Sequence, residues 1–216
     1  MDTLKQDMEQ LKSIETILDE PWFHEKPWLI CGTGESLERF KPELREKFNI
    51  WCVYYSIDVT GWADVFHFQD VHQEADYRAP TGFPTPYRHC AVRHPVALRH
   101  IYSREVLVPP RALVISYSTD IEMGGGDPPG KIFPTSNSTS FAFMFLCEHS
   151  KFPEIHTLGI DDGSEGIARG VNELYIKNTN ACQEQFIAIH GKLSWDLENA
   201  SNQGWCDMHG KKWVRL

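Results

Sequence analysis

The sequence predicts an open, mostly parallel, Rossmann-like α/β sheet flanked by helices, in one domain. Three observations carry this. Short apolar runs alternate with helical patterns from residue 28 onward. Trp28-Leu29-Ile30-Cys31 passes straight into Gly32-Thr33-Gly34-Glu35-Ser36 and then into a helical spacing, Leu37, Phe40, Leu44 and Phe48. Late in the chain, EIHTLGID (154–161) reads as a strong strand ending on a carboxylate.

Composition bounds the reading. A length of 216 residues suits one domain, or one with an appendage. Apolar content of 41% and charged content of 24% are globular values, which argues against wholesale disorder. A net charge of −9 disfavours general electrostatic binding to nucleic acid but leaves room for a local basic surface. The six cysteines form no C-x-x-C and read as reduced thiols of a cytosolic protein. Met1–Glu20 is charged throughout, unlike a signal peptide, and no apolar run is long enough to span a bilayer, so a cytoplasmic location is expected.

Taken in order, residues 3–19 place Leu4, Met8, Leu11, Ile14 and Leu18 at helical spacing, ended by Pro21. This N-terminal helix, assigned to 1–20, suits a place on the domain edge or a homo-oligomer contact. The α/β domain proper runs over 21–216. Strand 28–31 leads to a helix near 36–48, then strands 49–55 and 63–68. Residues 73–95 are rich in Pro, Tyr, Arg and His and open an irregular insertion over about 73–135. Within it 105–108 and 112–118 are strand-like, and 123–137 is a Gly/Pro loop. Ser136, Asn137 and Ser138 offer N-caps for an apolar helix. After strand 154–161 come a polar loop, a helix at 180–190 and a last strand near 193–197.

In parallel sheets ligands sit at the carboxyl ends of strands. That places Gly32–Ser36, Tyr55–Asp58, Phe68–His72 and Gly159–Asp162 on one rim, within reach of a helix start at Ser138–Ser140. A strand, a glycine turn and a helix start present backbone N–H groups to a phosphate, and a side chain at either glycine would block that approach. Only two glycines are present, so the dinucleotide fingerprint is incomplete. Gly125 to Lys131 has the spacing of a phosphate-binding P-loop, but Ile132 stands where a hydroxyl is needed and two prolines remove amide donors. A lid over the site suits it better.

Asp161 and Asp162 suit a general base, a ribose or metal contact, or a turn cap. Asp70 and His72 follow the third strand and suit catalysis. His67-x4-His72 is too sparse for a metal site. Segment 87–111 carries Arg88, Arg93, Arg99, Arg104 and Arg111 with three histidines, opposed only by Glu105. It reads either as a solvated face or as a surface for a phosphate-bearing nucleotide or acceptor such as DNA.

WLICGTGESL resembles the amino-terminal glycine motif of the bacterial lipooligosaccharide sialyltransferases. It equally resembles the superfamily of motility accessory factors and 6-hydroxymethylpterin pyrophosphokinases. NSTSFAFMFLCEHSKFPEIHTLGIDD resembles their second block, and YIKNTNACQEQFIAI the third. The resemblance covers about 28–72 and 136–200. It implies a nucleotide-activated donor, no metal, and a nucleotide cradled by Gly32, Thr33, Gly34, Ser36, Ser138, Thr139, Ser140 and Asp161. Thr33 replaces the family's Asn, the catalytic His falls near Tyr175, and Gly163 stands where a Tyr pair begins. Tyr175, Asp162, His72 and Asp70 are therefore the candidate catalytic residues, with Arg88, Arg93 and Arg99 for acceptor or phosphate.

The expected activity is transfer of a sugar from a nucleotide-sugar to a hydroxyl of a saccharide or a modified DNA base, with no further cofactor. The alternatives are a pterin-type pyrophosphokinase, using ATP and Mg²⁺ held by Asp161, Asp162 and Asp70, and a nucleotide-binding module without catalysis.

Overall fold

The structure is a computed structural model. It describes residues 12–68, 87–93, 111–117, 130–134, 138–161, 168 and 197–216. Among the described residues nine strands form one sheet: β1 Lys12–Ser13, β2 Trp28–Cys31, β3 Asn49–Val53, β4 Ala63–Phe68, β5 Tyr87–Arg93, β6 Ala112–Tyr117, β7 Ile132–Phe133, β8 Glu154–Leu158 and β9 Lys212–Arg215. Their order is β1-β6-β5-β4-β3-β2-β8-β9, with β7 extending from β6. Every strand pair among the described residues is parallel. The predicted α/β class is therefore the observed one.

A parallel sheet buried on both faces needs strands that are apolar on both sides. Alternate residues divide between two cores. Trp28, Ile30, Trp51, Val53, Val65, Ala91, Leu113 and Ile115 face one; Leu29, Cys31, Ile50, Cys52, Phe66, Cys90 and Val92 face the other. Helix α1 (Leu44–Lys47) and helix α2 (Ser56–Thr60) are short. Helix α3 (Ser138–His149) is buried almost all round and lies against β2, β3 and β8. Its Phe141, Phe145 and Leu146 are fully buried, each contributing roughly 1.5–3 kcal/mol. Helix α4 occupies residues 197–208. It ends in a Schellman cap: Gly210 (φ 62°) donates to Asp207 O at 3.2 Å and Lys211 to Cys206 O at 2.8 Å.

Several elements differ from the sequence reading. The predicted N-terminal helix is, over its described part, the short strand β1 followed by a 3₁₀ helix, Ile14–Asp19. Ser13 breaks the spacing because its side chain accepts from the Glu15 amide. The predicted 36–48 helix is split into a 3₁₀ turn, Glu35–Arg39, and α1, since Pro42 cannot continue the first. Strand β5 lies in a stretch read as irregular, and its His and Arg residues hid a central strand. Gly204 and the run of Asn, Ser and Gln concealed α4. Residue 197, expected at the end of a strand, is helical, and the last strand is β9. The predicted 180–190 helix and the 105–108 strand lie outside the described residues. The five described cysteines carry free thiols, with Cys147 Sγ 3.5 Å from Cys206 Sγ.

His67 on β4 is wholly buried, and burial pushes its pKa down to about 3. The unfolded chain binds a proton near pH 6.5, whereas the folded chain does so only near pH 3. Folding stability is therefore expected to fall as pH drops from 6.5 toward 3, by up to about 1.4 kcal/mol per pH unit from this group. Urea melts of wild type and His67→Gln across that range check this. The variant should have the shallower acid limb.

Candidate functional site

Consecutive strands from β2 to β6 step across the sheet in one direction. The chain then returns through α3 and places β8 on the opposite side of β2. The loops leaving β2 and β8 diverge at this switch point, where a parallel sheet opens a crevice at its carboxyl edge. Both loops are the ones singled out by sequence, Gly32–Ser36 and Gly159–Asp161.

The two loops are bonded to each other. Gly32 N donates to Leu158 O at 2.8 Å and Gly34 N to Gly159 O at 2.9 Å. Ser36 donates from its amide to Asp161 Oδ2 (2.9 Å) and from its hydroxyl to Asp161 Oδ1 (2.6 Å). The Ser36 hydroxyl in turn accepts from Gly159 N at 2.7 Å. Ala168 N reaches back to Thr33 O at 3.0 Å.

This geometry gives the glycines a different reason from the one expected. A Cβ on Gly32 would stand 2.3 Å from Gly159 O, and one on Gly34 would stand 2.5 Å from Asp161 Oδ2. Gly159 has φ 68°, and its Cβ would meet Gly32 O at 2.3 Å. The side chains are excluded by loop-to-loop contact before any ligand is considered. Three of the five amides of 32–36 are thereby consumed. Those of Thr33 and Glu35 find no acceptor among the described residues. Both carboxylate oxygens of Asp161 are engaged by Ser36.

The first turn of α3 reaches the same rim. Ser138, wholly buried, donates from its hydroxyl to Tyr54 Oη at 3.1 Å. Tyr54 follows β3 with φ 55°, a left-handed conformation unusual for a bulky residue and common at functional sites. Its amide donates to His67 O at 2.9 Å. Thr139 and Ser140 follow in the same turn. The positive end of the α3 dipole therefore opens at the carboxyl edge, beside Tyr54 at the end of β3. Farther along the rim, Tyr117 Oη lies 3.4 Å from His67 Nε2, and Arg93 stands over the Tyr117 ring at 5.7 Å.

The structure separates the arginines. Arg88 and Arg93 sit at opposite ends of β5, about 16 Å apart at ~3.3 Å per residue. Only Arg93 is at the carboxyl edge. Arg88 is at the other edge, 3.3 Å from Asp64 and 4.5 Å from the Trp22 ring. A single basic surface containing both does not exist, because a strand, not a helix face, connects them. Asp70, His72, Arg99, Asp162 and Tyr175 lie outside the described residues. Sequence reasoning missed Tyr54, whose role rests on a backbone angle with no residue signature. It also missed Asn199 of α4, whose Nδ2 donates to Asp161 O at 3.5 Å. Among the described residues, no three His, Cys, Asp or Glu side chains gather as a metal site.

No protein-family model, curated protein or solved structure matches this chain.

Gly159→Ala is expected to cost more than about 2 kcal/mol, combining a left-handed backbone penalty with a backbone clash. Ser36→Ala removes the hydroxyl bridging Asp161 and Gly159 and should cost about 1–3 kcal/mol. Denaturant melts measure both, and unchanged midpoints would contradict the loop-to-loop lock.

Proposed function

We propose that this protein is a nucleotide-sugar-dependent glycosyltransferase, with the donor bound at the β2/β8 switch point. The observation that carries the reading is convergence: the β2 glycine loop, the Gly159–Asp161 loop and the first turn of α3 meet at one carboxyl edge of a parallel sheet. The amides of Thr33 and Glu35, which meet no acceptor among the described residues, suit the phosphates together with the α3 N-terminus. Arg93 at the same edge suits the leaving group, whose negative charge grows as the bond to the sugar breaks.

In the proposed reaction an acceptor hydroxyl oxygen attacks the anomeric carbon. The bond from that carbon to the phosphate oxygen breaks, and the nucleoside phosphate departs with the electron pair. A base takes the hydroxyl proton. Asp162, His72, Asp70 and Tyr175 are the candidates for that base, and a saccharide or a hydroxylated DNA base is the acceptor. Asp161 positions Ser36 and the loop rather than taking the proton. The pyrophosphokinase alternative would have Asp161 share its carboxylate between Mg²⁺ and the two Ser36 hydrogen bonds.

A thermal-shift screen against CMP-, UDP- and GDP-sugars, with ATP and Mg²⁺ as the comparison, tests this. A donor at a hundred times its Kd adds about 2.7 kcal/mol, raising Tm by roughly 5–10 °C for a chain of this size. One nucleotide-sugar should do so without added metal. Stabilisation by ATP and Mg²⁺ alone would support the pyrophosphokinase instead, and no shift with any nucleotide-sugar would contradict the proposal.

A further inference from the structure

Helix α4 carries a buried polar side chain that the fold does not use. Asn199, Asn202 and Cys206 recur at i, i+3 and i+7 and so share one face. The upper end of that face touches the rim through Asn199 and Asp161 O. Its lower end meets α3, where Cys206 Sγ lies 3.5 Å from Cys147 Sγ. On α3, Cys147, Phe143 and Ser140 recur at matching spacing, and Phe143 meets the Trp213 ring of β9 at 4.9 Å. The two helices therefore run side by side from the rim downward. Asn202 is on the α4 face that carries Asn199 and Cys206, three residues or about 4.5 Å along the helix from Asn199.

Asn202 is 0% exposed, and neither its Nδ2 nor its Oδ1 has a hydrogen-bond partner among the described residues. Folded proteins rarely leave a buried amide unpaired at both ends, and such a group calls for an absent partner. Its neighbours on this face are both engaged. Resting on the nucleotide reading above, we infer that Asn202 reads the base of the bound nucleotide. A side-chain amide sets one acceptor beside one donor in a plane. That is the complement of a nucleobase edge, as in the bidentate pairing of Asn with adenine. A phosphate offers acceptors alone. With the phosphates at the α3 N-terminus, the base lies on the rim side of the α3–α4 pair.

The test compares CMP, UMP, AMP and GMP with ribose 5-phosphate by isothermal titration. Wild type should bind at least one nucleotide ten-fold or more tightly than ribose 5-phosphate. Asn202→Leu, nearly isosteric, should bring that nucleotide down to the ribose 5-phosphate level. Its apo Tm should equal or exceed that of wild type, since an apolar group replaces an unpaired amide. Asn202→Ala is the second arm if leucine overfills the space. Retention of the base preference in a folded variant would overturn the inference. Equal wild-type affinity for nucleotide and ribose 5-phosphate would overturn it too, while leaving the phosphate site intact. Absence of all binding would remove both the inference and the reading beneath it.

Discussion

Gly32 and Gly159 approach so closely that neither tolerates a Cβ, and this contact organises the centre of the molecule. It joins the ends of β2 and β8, the two strands from which the chain departs in opposite directions. Ser36 and Asp161 close the contact from outside through three hydrogen bonds, two within the pair and one to Gly159. The crevice that a switch point would otherwise leave open is thereby given a floor. Whatever binds there meets a preorganised surface, whose loops hold their positions through bonds made to each other.

The two edges of the sheet serve different ends. At the amino edge, Asn49 donates to Trp22 O, Trp28 to Phe23 O, and Asp64 accepts from Ile50 N while pairing with Arg88. These contacts satisfy buried polar groups and fix the N-terminal 3₁₀ turns beneath the strands. At the carboxyl edge the polar groups are less fully spent. Tyr54 is held in a left-handed conformation, its hydroxyl joined to Ser138 at the start of the buried helix α3. Left-handed backbone occurs at both edges, at Tyr54 and at Arg111 (φ 58°) before β6, so the convergence of the β2 loop, the β8 loop and the α3 start is what marks the carboxyl edge as the candidate site.

The parallel class, the β2 loop, the α3 start and the β8 loop were legible because each combines local pattern with turn chemistry. Trp28–Cys31 is uniformly apolar, and glycines follow it directly. Strand β5 was hidden because Arg88, His89 and Arg93 sit on a strand whose inner positions are the small residues Cys90 and Ala91. The true partner of the glycines was hidden for another reason. Gly32 and Gly159 are far apart in the chain, and close backbone approach leaves the same residue signature whether the neighbour is a ligand or a loop. The split of the basic segment between two edges follows from β5 being a strand, so an error in one element became an error about a surface. Asn202 carries no sequence signal, since an asparagine in a polar helix is ordinary until its burial is known.

The central claim is that a nucleotide's phosphates lie against the β2 loop and the first turn of α3. Backbone amide chemical shifts followed during titration with the best-binding nucleotide-sugar address it residue by residue. The account expects the largest perturbations at Thr33, Glu35 and Ser138 to Ser140, with little change around Arg88 at the opposite edge. Perturbations centred on Arg88, or absent from both loops while binding saturates, would contradict it.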